Sequence, residues 1–354
     1  MALIFAMAAA LWGLGAALGT PRRLRWGMIG FLWAGVVLMH LVLPSGHPLR
    51  LATGDSAAPW LLLGGAAALV MAYRWGLGRL RARVDDGRPA TPVMATDAPF
   101  TPTELNRYAR HIVLREIGGP GQRRLKDARV LVIGAGGLGS PALLYLAASG
   151  VGTIGVIDDD LVEGSNLQRQ VIHTDDRIGM PKVFSAELAM RALNPFVTVR
   201  PYHRRLTDEI ADELFAEYDL ILDGTDNFDT RYLSNAVAHR LGKPLISGAL
   251  SQWEGQVSLF DTARGTPCYA CIFPEAPAPG LAPSCAEAGV FAPLPGMIGA
   301  LIAAEAVKRI TGAGETLSGV MMIQDALYSD TRRITLKRNA ECPVCGPGRK
   351  ESQT

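Results

Sequence analysis

No G-x-x-x-x-G-K-[ST] loop occurs in the 354 residues. The commonest phosphate cradle is therefore absent, and any use of a nucleoside triphosphate needs another structural basis. Net charge is scarce too: 35 Lys and Arg against 33 Asp and Glu leave a formal +2. That balance supplies no global field for nucleic acid, and no nucleic-acid partner is expected. Cysteine is limited to five residues. Charge of either sign is missing from three early stretches, 2–20, 26–49 and 56–73.

Each of these stretches approaches the roughly 20 apolar residues that a membrane-spanning helix requires. Three in succession are hard to place in the core of one small domain. The expectation is a module over 1–84 with three transmembrane helices, at about 2–20, 26–44 and 57–73. Met1 to Gly19 has no positive n-region, so the first run reads as a span rather than a cleaved leader. Arg22, Arg23 and Arg25 follow the first run, and Arg74, Arg79, Arg81 and Arg83 follow the third. Between the second and third stands Arg50, offset by Asp55. The positive-inside rule then puts the N-terminus outside and the long C-terminal part in the cytoplasm. The expected location is the inner (cell) membrane, multi-pass, with the catalytic domain cytoplasmic. His40 is the lone histidine within the spans, expected near a helix end or a neighbour. The Pro-, Thr- and Asp-rich segment 85–98 reads as a linker, and a second domain is expected over 99–348.

The second domain opens on a β-branched run, 128–133, followed by Gly134, Gly136, Gly137, Gly139 and Ser140 and then a helical stretch. Another apolar run ends in Asp158-Asp159-Asp160, with Asp158 placed 19 residues after Gly139. Strand, glycine turn, helix, strand and acid form a Rossmann-like unit. The glycines let backbone N–H groups approach phosphate at a helix N-terminus, and the acid suits a ribose. By itself this says nucleotide, and a dinucleotide would be its ordinary reading. The segment after Asp160 favours ATP. Ser165-Asn166-Leu167-Gln168-Arg169-Gln170 and Lys182 bring two cations, which a leaving pyrophosphate needs and a hydride transfer does not. The run 220–223 is a further strand, with Thr225-Asp226-Asn227 at its C-terminal end, where open α/β sheets bind ligands. A carboxylate there, beside a triphosphate, suits magnesium.

In combination with Arg107-Tyr108-Ala109-Arg110-His111, these motifs resemble the MoeB/ThiF/HesA adenylyltransferases, relatives of the ubiquitin-activating enzymes. The resemblance runs from about Asn106 to Cys345 and is nearest to the molybdopterin-synthase branch. It implies an α/β fold, a Rossmann-like nucleotide-binding domain with a mixed sheet. It also implies roles: Gly137 at the phosphates, Asp158 at the ribose, Arg169 and Lys182 at the triphosphate, Asp226 at magnesium. Arg110 would reach the ATP site of the other subunit of a homodimer; from the residues alone it reads as a solvated helix face. The implied reaction joins AMP to the C-terminal Gly-Gly carboxylate of a ubiquitin-fold sulfur carrier. A carboxylate is already ionised near neutral pH, so no side-chain base is required.

Cys268-x-x-Cys271 and Cys342-x-x-Cys345, 70 residues apart, suit a closed tetrahedral zinc site. The matching pairs bind zinc in the family. Cys285 stands apart in a Pro-rich loop, and some relatives use a cysteine here to carry an acyl group. Nine residues follow Cys345, too few for a sulfurtransferase domain, so a separate sulfurtransferase is expected. Adenylation of the thiamine-pathway carrier is a rival reading within the family. From another class, a membrane-bound NAD-linked oxidoreductase would leave Arg169, Lys182 and Asp226 without a use.

Overall fold

The structure, a computed structural model, describes residues 2–54, 56–86, 99–277 and 288–346. The chain divides into two compact units, Met1–Asp97 and Ala98–Thr354.

The first unit is helical: α1 (Ala2–Ala17), α2 (Arg22–Val42), α3 (Pro48–Thr53) and α4 (Ala58–Asp86). Among the described residues, one helix is long and apolar enough to cross a membrane, Arg23–Val42, and a shorter apolar helix covers Leu3–Ala17. The three spans expected from the sequence are corrected accordingly. α1 has 16 residues and stops before Gly19, which takes a φ of 68°, and Pro21. At 1.5 Å per residue it covers about 24 Å, short of the roughly 30 Å hydrocarbon layer. α4 leaves its apolar run at Arg74 and continues as a charged helix to Asp86. The expected linker, 85–98, falls outside the described residues but for Asp85 and Asp86, which close α4.

A small core of Ile4, Val36 and Trp60 holds these helices together. The Trp60 indole donates to Thr53 O at 3.1 Å, and the Trp33 indole donates to Trp60 O at 2.8 Å. His40 is buried with Nε2 at 2.9 Å from Thr53 Oγ1, so its neighbour is the short α3. Large apolar side chains point outward instead: Phe31, Leu38, Leu62 and Leu69 are all exposed. Such an apolar exterior is unusual for a surface that meets water.

The second unit is built on one sheet. Its strands are β1 (Arg129–Ile133), β2 (Thr153–Ile157), β3 (Thr198–Tyr202), β4 (Leu220–Asp223), β5 (Leu245–Leu250), β6 (Glu254–Phe260), β7 (Val320–Asp325) and β8 (Asp330–Thr335). The order is β3-β2-β1-β4-β5-β6-β7-β8. The first five run parallel and the last three are antiparallel, so the sheet is mixed. The expected α/β, Rossmann-like architecture is what the chain adopts.

Ahead of the sheet lie α5 (Pro102–Ile112) and α6 (Gly118–Asp127). Thr101 and Glu104 form a capping box at the start of α5. The Glu104 carboxylate also accepts from Lys126 of α6 at 2.5 Å. Burial would raise the Glu104 pKa, but Lys126 and the cap hold it below the usual value. The pair fixes the orientation of α5, which carries Arg110 in its last turn.

A parallel sheet covered on both faces needs nearly continuous apolar strands. The alternation of β1 shows why: Val130 and Val132 enter one core, and Leu131 and Ile133 the other. The second core takes Phe215 of α9 (Asp208–Ala216), Val237 of α10 (Phe228–Arg240) and Tyr269 of the short α11 (Tyr269–Ile272). The first takes Leu143 and Leu146 of α7 (Gly139–Ser149), Met190 of α8 (Lys182–Leu193) and Ile298 of α12 (Pro293–Thr311). Truncating one of the fully buried leucines, such as Leu143, would cost about 2–5 kcal/mol.

Candidate active site

Between β1 and α7 the backbone turns sharply. Gly134 takes a φ of +91°, and a Cβ on Gly139 would sit 1.9 Å from Gly134 O. Neither position tolerates a side chain. The turn leaves Gly136 and Gly137 on the wall of a cavity of about 610 Å³ at the C-terminal ends of the parallel strands. That size is within the range of small-molecule sites.

Asp158, just past β2, is held by two backbone donors. Ala135 N donates to Oδ2 at 2.7 Å, and Asp160 N donates to Oδ1 at 2.8 Å. Burial pushes the Asp158 carboxyl above its ordinary value, against the pull of Lys182 and of these bonds. Lys182, the first residue of α8, is buried, and its Nζ lies 2.6 Å from Asp160 Oδ2. Its position follows from Lys182 N donating to Asp160 O at 2.9 Å.

Two buried residues support this wall: His173, which no sequence pattern marks, and Gln170, the last residue of the 165–170 motif. His173 is buried, with Nε2 3.0 Å from Ala135 O and Nδ1 2.9 Å from Ser185 Oγ. A carbonyl only accepts, so Nε2 carries the proton and Nδ1 accepts from the Ser185 hydroxyl. Burial pushes the His173 pKa down, and Lys182 and Arg177 add to that. Gln170 lines the cavity, 4% exposed, with its Oε1 unpaired.

Arg169 also lines the cavity. Its guanidinium donates to Ser165 O at 3.2 Å and to Asn166 Oδ1 at 3.5 Å. Ser165 is exposed and Asn166 buried; both hold Arg169 and neither lines the cavity. Opposite, Thr225, Asp226 and Asn227 come after β4. Thr225 donates through N at 3.0 Å and through Oγ1 at 2.7 Å to Oδ1 of the fully buried Asp223. Asn227 caps α10 by accepting from Thr230 N at 2.8 Å. Asp226 is left exposed on the cavity wall. The buried Arg231 donates to Thr225 O.

The predicted residues Gly134, Gly136, Gly137, Asp158, Arg169, Lys182 and Asp226 thus meet around one cavity. Gly139 stands behind it as a steric requirement. Arg110 is exposed on α5 and is not on the cavity wall of its own chain. Cys285 lies outside the described residues.

The other four cysteines gather elsewhere in the unit. Cys268 Sγ is 3.9 Å from Cys271 Sγ and 3.5 Å from Cys342 Sγ, and Cys271 Sγ is 3.3 Å from Cys345 Sγ. None is in a disulfide, and all four sulfurs lie within 4.8 Å of one another. Zn–S bonds of about 2.3 Å in a tetrahedron set sulfurs roughly 3.8 Å apart, so this set fits zinc with small adjustments.

The ThiF family model matches residues 108–344. This chain belongs to the ThiF family. Among relatives, the "Sulfur carrier protein adenylyltransferase" of Thermus thermophilus is 51% identical over 251 residues, 70% of this chain and 93% of that protein. The "SAMP-activating enzyme E1" of Haloferax volcanii is 48% identical over 250 residues, 71% and 92% of the two chains. The "Probable adenylyltransferase/sulfurtransferase MoeZ" of Mycobacterium tuberculosis is 48% identical over 255 residues, 71% of this chain and 65% of that one. Of solved structures, E. coli MccB with MccA-N7isoASN superposes with a TM-score of 0.60 at 25% identity, covering 68% of this chain and 74% of that one. Within this ThiF-family chain, sequence reasoning missed Asp160, His173, Asp223 and Arg231. They act through bonds to Lys182, to the Ala135 carbonyl and to the Thr225 turn, and such bonds leave no local pattern.

Proposed function

We propose that the second unit adenylates the C-terminal Gly-Gly carboxylate of a ubiquitin-fold sulfur carrier, consuming ATP and releasing pyrophosphate. The carrier we favour is the small subunit of molybdopterin synthase. One observation carries the reading: two cations, a half-buried ribose-type acid, a glycine turn and a free carboxylate surround a single cavity in a ThiF-family chain.

The glycine turn offers backbone N–H groups to the phosphates, and Asp158 accepts from the ribose hydroxyls. Lys182 leaves Asp160 for the triphosphate. Arg169, steadied by Ser165 and Asn166, meets the charge that builds on the leaving pyrophosphate. These groups stabilise developing charge in a site that needs no general base. Asp226 is the residue that would hold magnesium, which binds proteins through one or two carboxylates plus substrate phosphates and neutralises charge there. Cys268, Cys271, Cys342 and Cys345 would hold zinc as a structural site. We further assign Arg110 to the site of a second copy in a homodimer, because it is exposed and away from its own cavity. Sulfur for the carrier would come from a separate sulfurtransferase. Cys285 is a candidate to accept the activated acyl group.

The first unit would tether the enzyme to the inner membrane with the catalytic unit cytoplasmic. Its apolar exterior and the Arg23–Val42 helix support this. Whether α1 and α4 also span can be read from cysteine-accessibility labelling at both ends of each helix.

The reaction is tested by incubating chain, ATP, magnesium and carrier and trapping the product with hydroxylamine. A hydroxamate at the carrier's last glycine is expected with the molybdopterin-synthase subunit. A hydroxamate formed only on the thiamine-pathway carrier would move the reading to that pathway. No hydroxamate on any Gly-Gly carrier would overturn it.

A further inference from the structure

The stripe of α10 that runs from the nucleotide cavity to the cysteine cluster carries three polar residues four apart, Asn227, Arg231 and Asn235. At this spacing side chains lie on one face of a helix. Asn227 caps the helix beside Asp226. Arg231, 6% exposed, donates to Thr225 O on the same turn. Asn235, two turns on and 1% exposed, accepts through Oδ1 from Tyr269 N at 2.8 Å.

That bond fixes the orientation of the amide. Tyr269 N needs an acceptor, so the opposite atom, Nδ2, is a donor, and it is buried with no hydrogen-bond partner. An orphaned buried donor is costly and calls for an acceptor. The acceptor at hand is the sulfur of Cys268, the residue before Tyr269. The Asn235 side chain interacts with that sulfur. A metal-bound thiolate accepts hydrogen bonds far better than a thiol, and ligands of metal sites are commonly oriented by such outer donors.

Tyr269 faces the other way. It lines the nucleotide cavity, and its ring is clamped by Tyr232, Phe260 and Phe273 at centroid distances of 5.4, 6.0 and 4.9 Å. Its hydroxyl interacts with Arg231. A chain of contacts therefore leads from the Cys268 sulfur through Asn235 and Tyr269 to Arg231, Thr225 and the Asp226 turn.

We propose that Asn235 and Tyr269 are positioning residues that make the cysteine–metal centre a support of the nucleotide loop. Asn235 donates to the metal-bound sulfur of Cys268 and holds Tyr269, and Tyr269 braces Arg231 against the Thr225–Asp226 turn. The proposal deepens the adenylation reading and rests on it for the identity of the nucleotide.

The test uses the full chain in detergent micelles, loaded with zinc, and follows two quantities. One is the rate of zinc transfer to a chromogenic chelator. The other is the ATP dissociation constant by titration calorimetry. Asn235→Asp keeps the acceptor for Tyr269 N and loses the donor to sulfur, so zinc should leave about 10- to 100-fold faster. Tyr269→Phe leaves the cysteines untouched, so zinc release should match wild type while ATP binds about tenfold more weakly. If Asn235→Asp does not fold, Asn235→Ala, which removes the donor together with the acceptor for Tyr269 N, is measured in its place. Wild-type zinc release in the folded Asn235 variant would overturn the link to the metal. Unchanged ATP affinity in Tyr269→Phe would overturn the brace. A wild-type chain that binds zinc but not ATP would instead refute the adenylation reading, and the zinc arm would still decide the role of Asn235.

Discussion

Lys182 Nζ and Asp160 Oδ2 are 2.6 Å apart, and the two side chains differ sharply in exposure, 7% for the lysine and 65% for the acid. A buried ammonium needs a counter-charge, and Asp160 supplies one that an incoming triphosphate can replace. On the proposed function, the acid competes with the nucleotide for Lys182.

Asp160→Asn should remove the competition. ATP is expected to bind several-fold tighter by calorimetry, while the melting curve shows a loss on the order of 1 kcal/mol, small because the acid is mostly solvated. Weaker ATP binding would mean that Asp160 itself contacts the nucleotide. Lys182→Ala should lower turnover by about 10²- to 10³-fold, the usual cost of losing one charge-stabilising donor.

His173 gives a pH dependence whose sign comes from its environment. Its pKa is lowered from the ordinary 6.5 because burial disfavours the cation, so the folded chain binds fewer protons than the unfolded one below that value. Stability contributed by His173 is complete above about pH 6.5 and falls as the pH drops toward the lowered value. Protonation would also deprive Ser185 Oγ of its acceptor. Melting temperatures measured across this window should fall with acid, and His173→Gln should flatten that fall. An equal slope in the variant would show that another group carries it.

How far could the site be read before the fold was known? The glycine turn, Asp158 and the two cysteine knuckles were legible because each is a local pattern with one physical purpose. His173 was not, since its partner Ala135 lies 38 residues away and meets it only when α8 packs on the sheet. Asn235 likewise resembles any polar helix residue until Tyr269 N is brought against it. The parallel part of the sheet was legible from the strand–turn–helix rhythm, whereas the antiparallel strands β6 to β8 were expected only from the family resemblance. The membrane module was read too simply: lack of charge marked three runs, but helix length and the arginines from Arg74 onward leave Arg23–Val42 as the described helix that meets both requirements.

Zinc analysis tests the cysteine cluster directly. About one zinc per chain should copurify, as a single four-sulfur site requires. Cys268→Ser should lower the melting temperature far more than it alters the specificity for nucleotide, because structural zinc contributes folding free energy. Metal-free protein with an unchanged melting temperature would rule the site out.

Arg110 is exposed and does not line its own cavity, and its proposed role lies across a two-fold interface. Arg110→Ala and Lys182→Ala should each lose most of the activity, yet a mixture that exchanges subunits should recover part of it. In a mixed dimer one site carries both defects and the other neither. Subunit exchange shown by tag capture, with no recovered activity, would remove Arg110 from the partner's site.

The central claim is that the cavity between Gly137, Lys182 and Asp226 activates a carboxylate with ATP. Its most direct test is carrier-dependent exchange of labelled pyrophosphate into ATP. The full chain in micelles, with magnesium and the small subunit of molybdopterin synthase, should catalyse exchange. A carrier lacking its two terminal glycines should give none, and Asp226→Ala should reduce the rate by several powers of ten, an order-of-magnitude expectation for loss of a metal ligand. Exchange that proceeds equally with the truncated carrier, or that survives Asp226→Ala at the wild-type rate, would contradict the account.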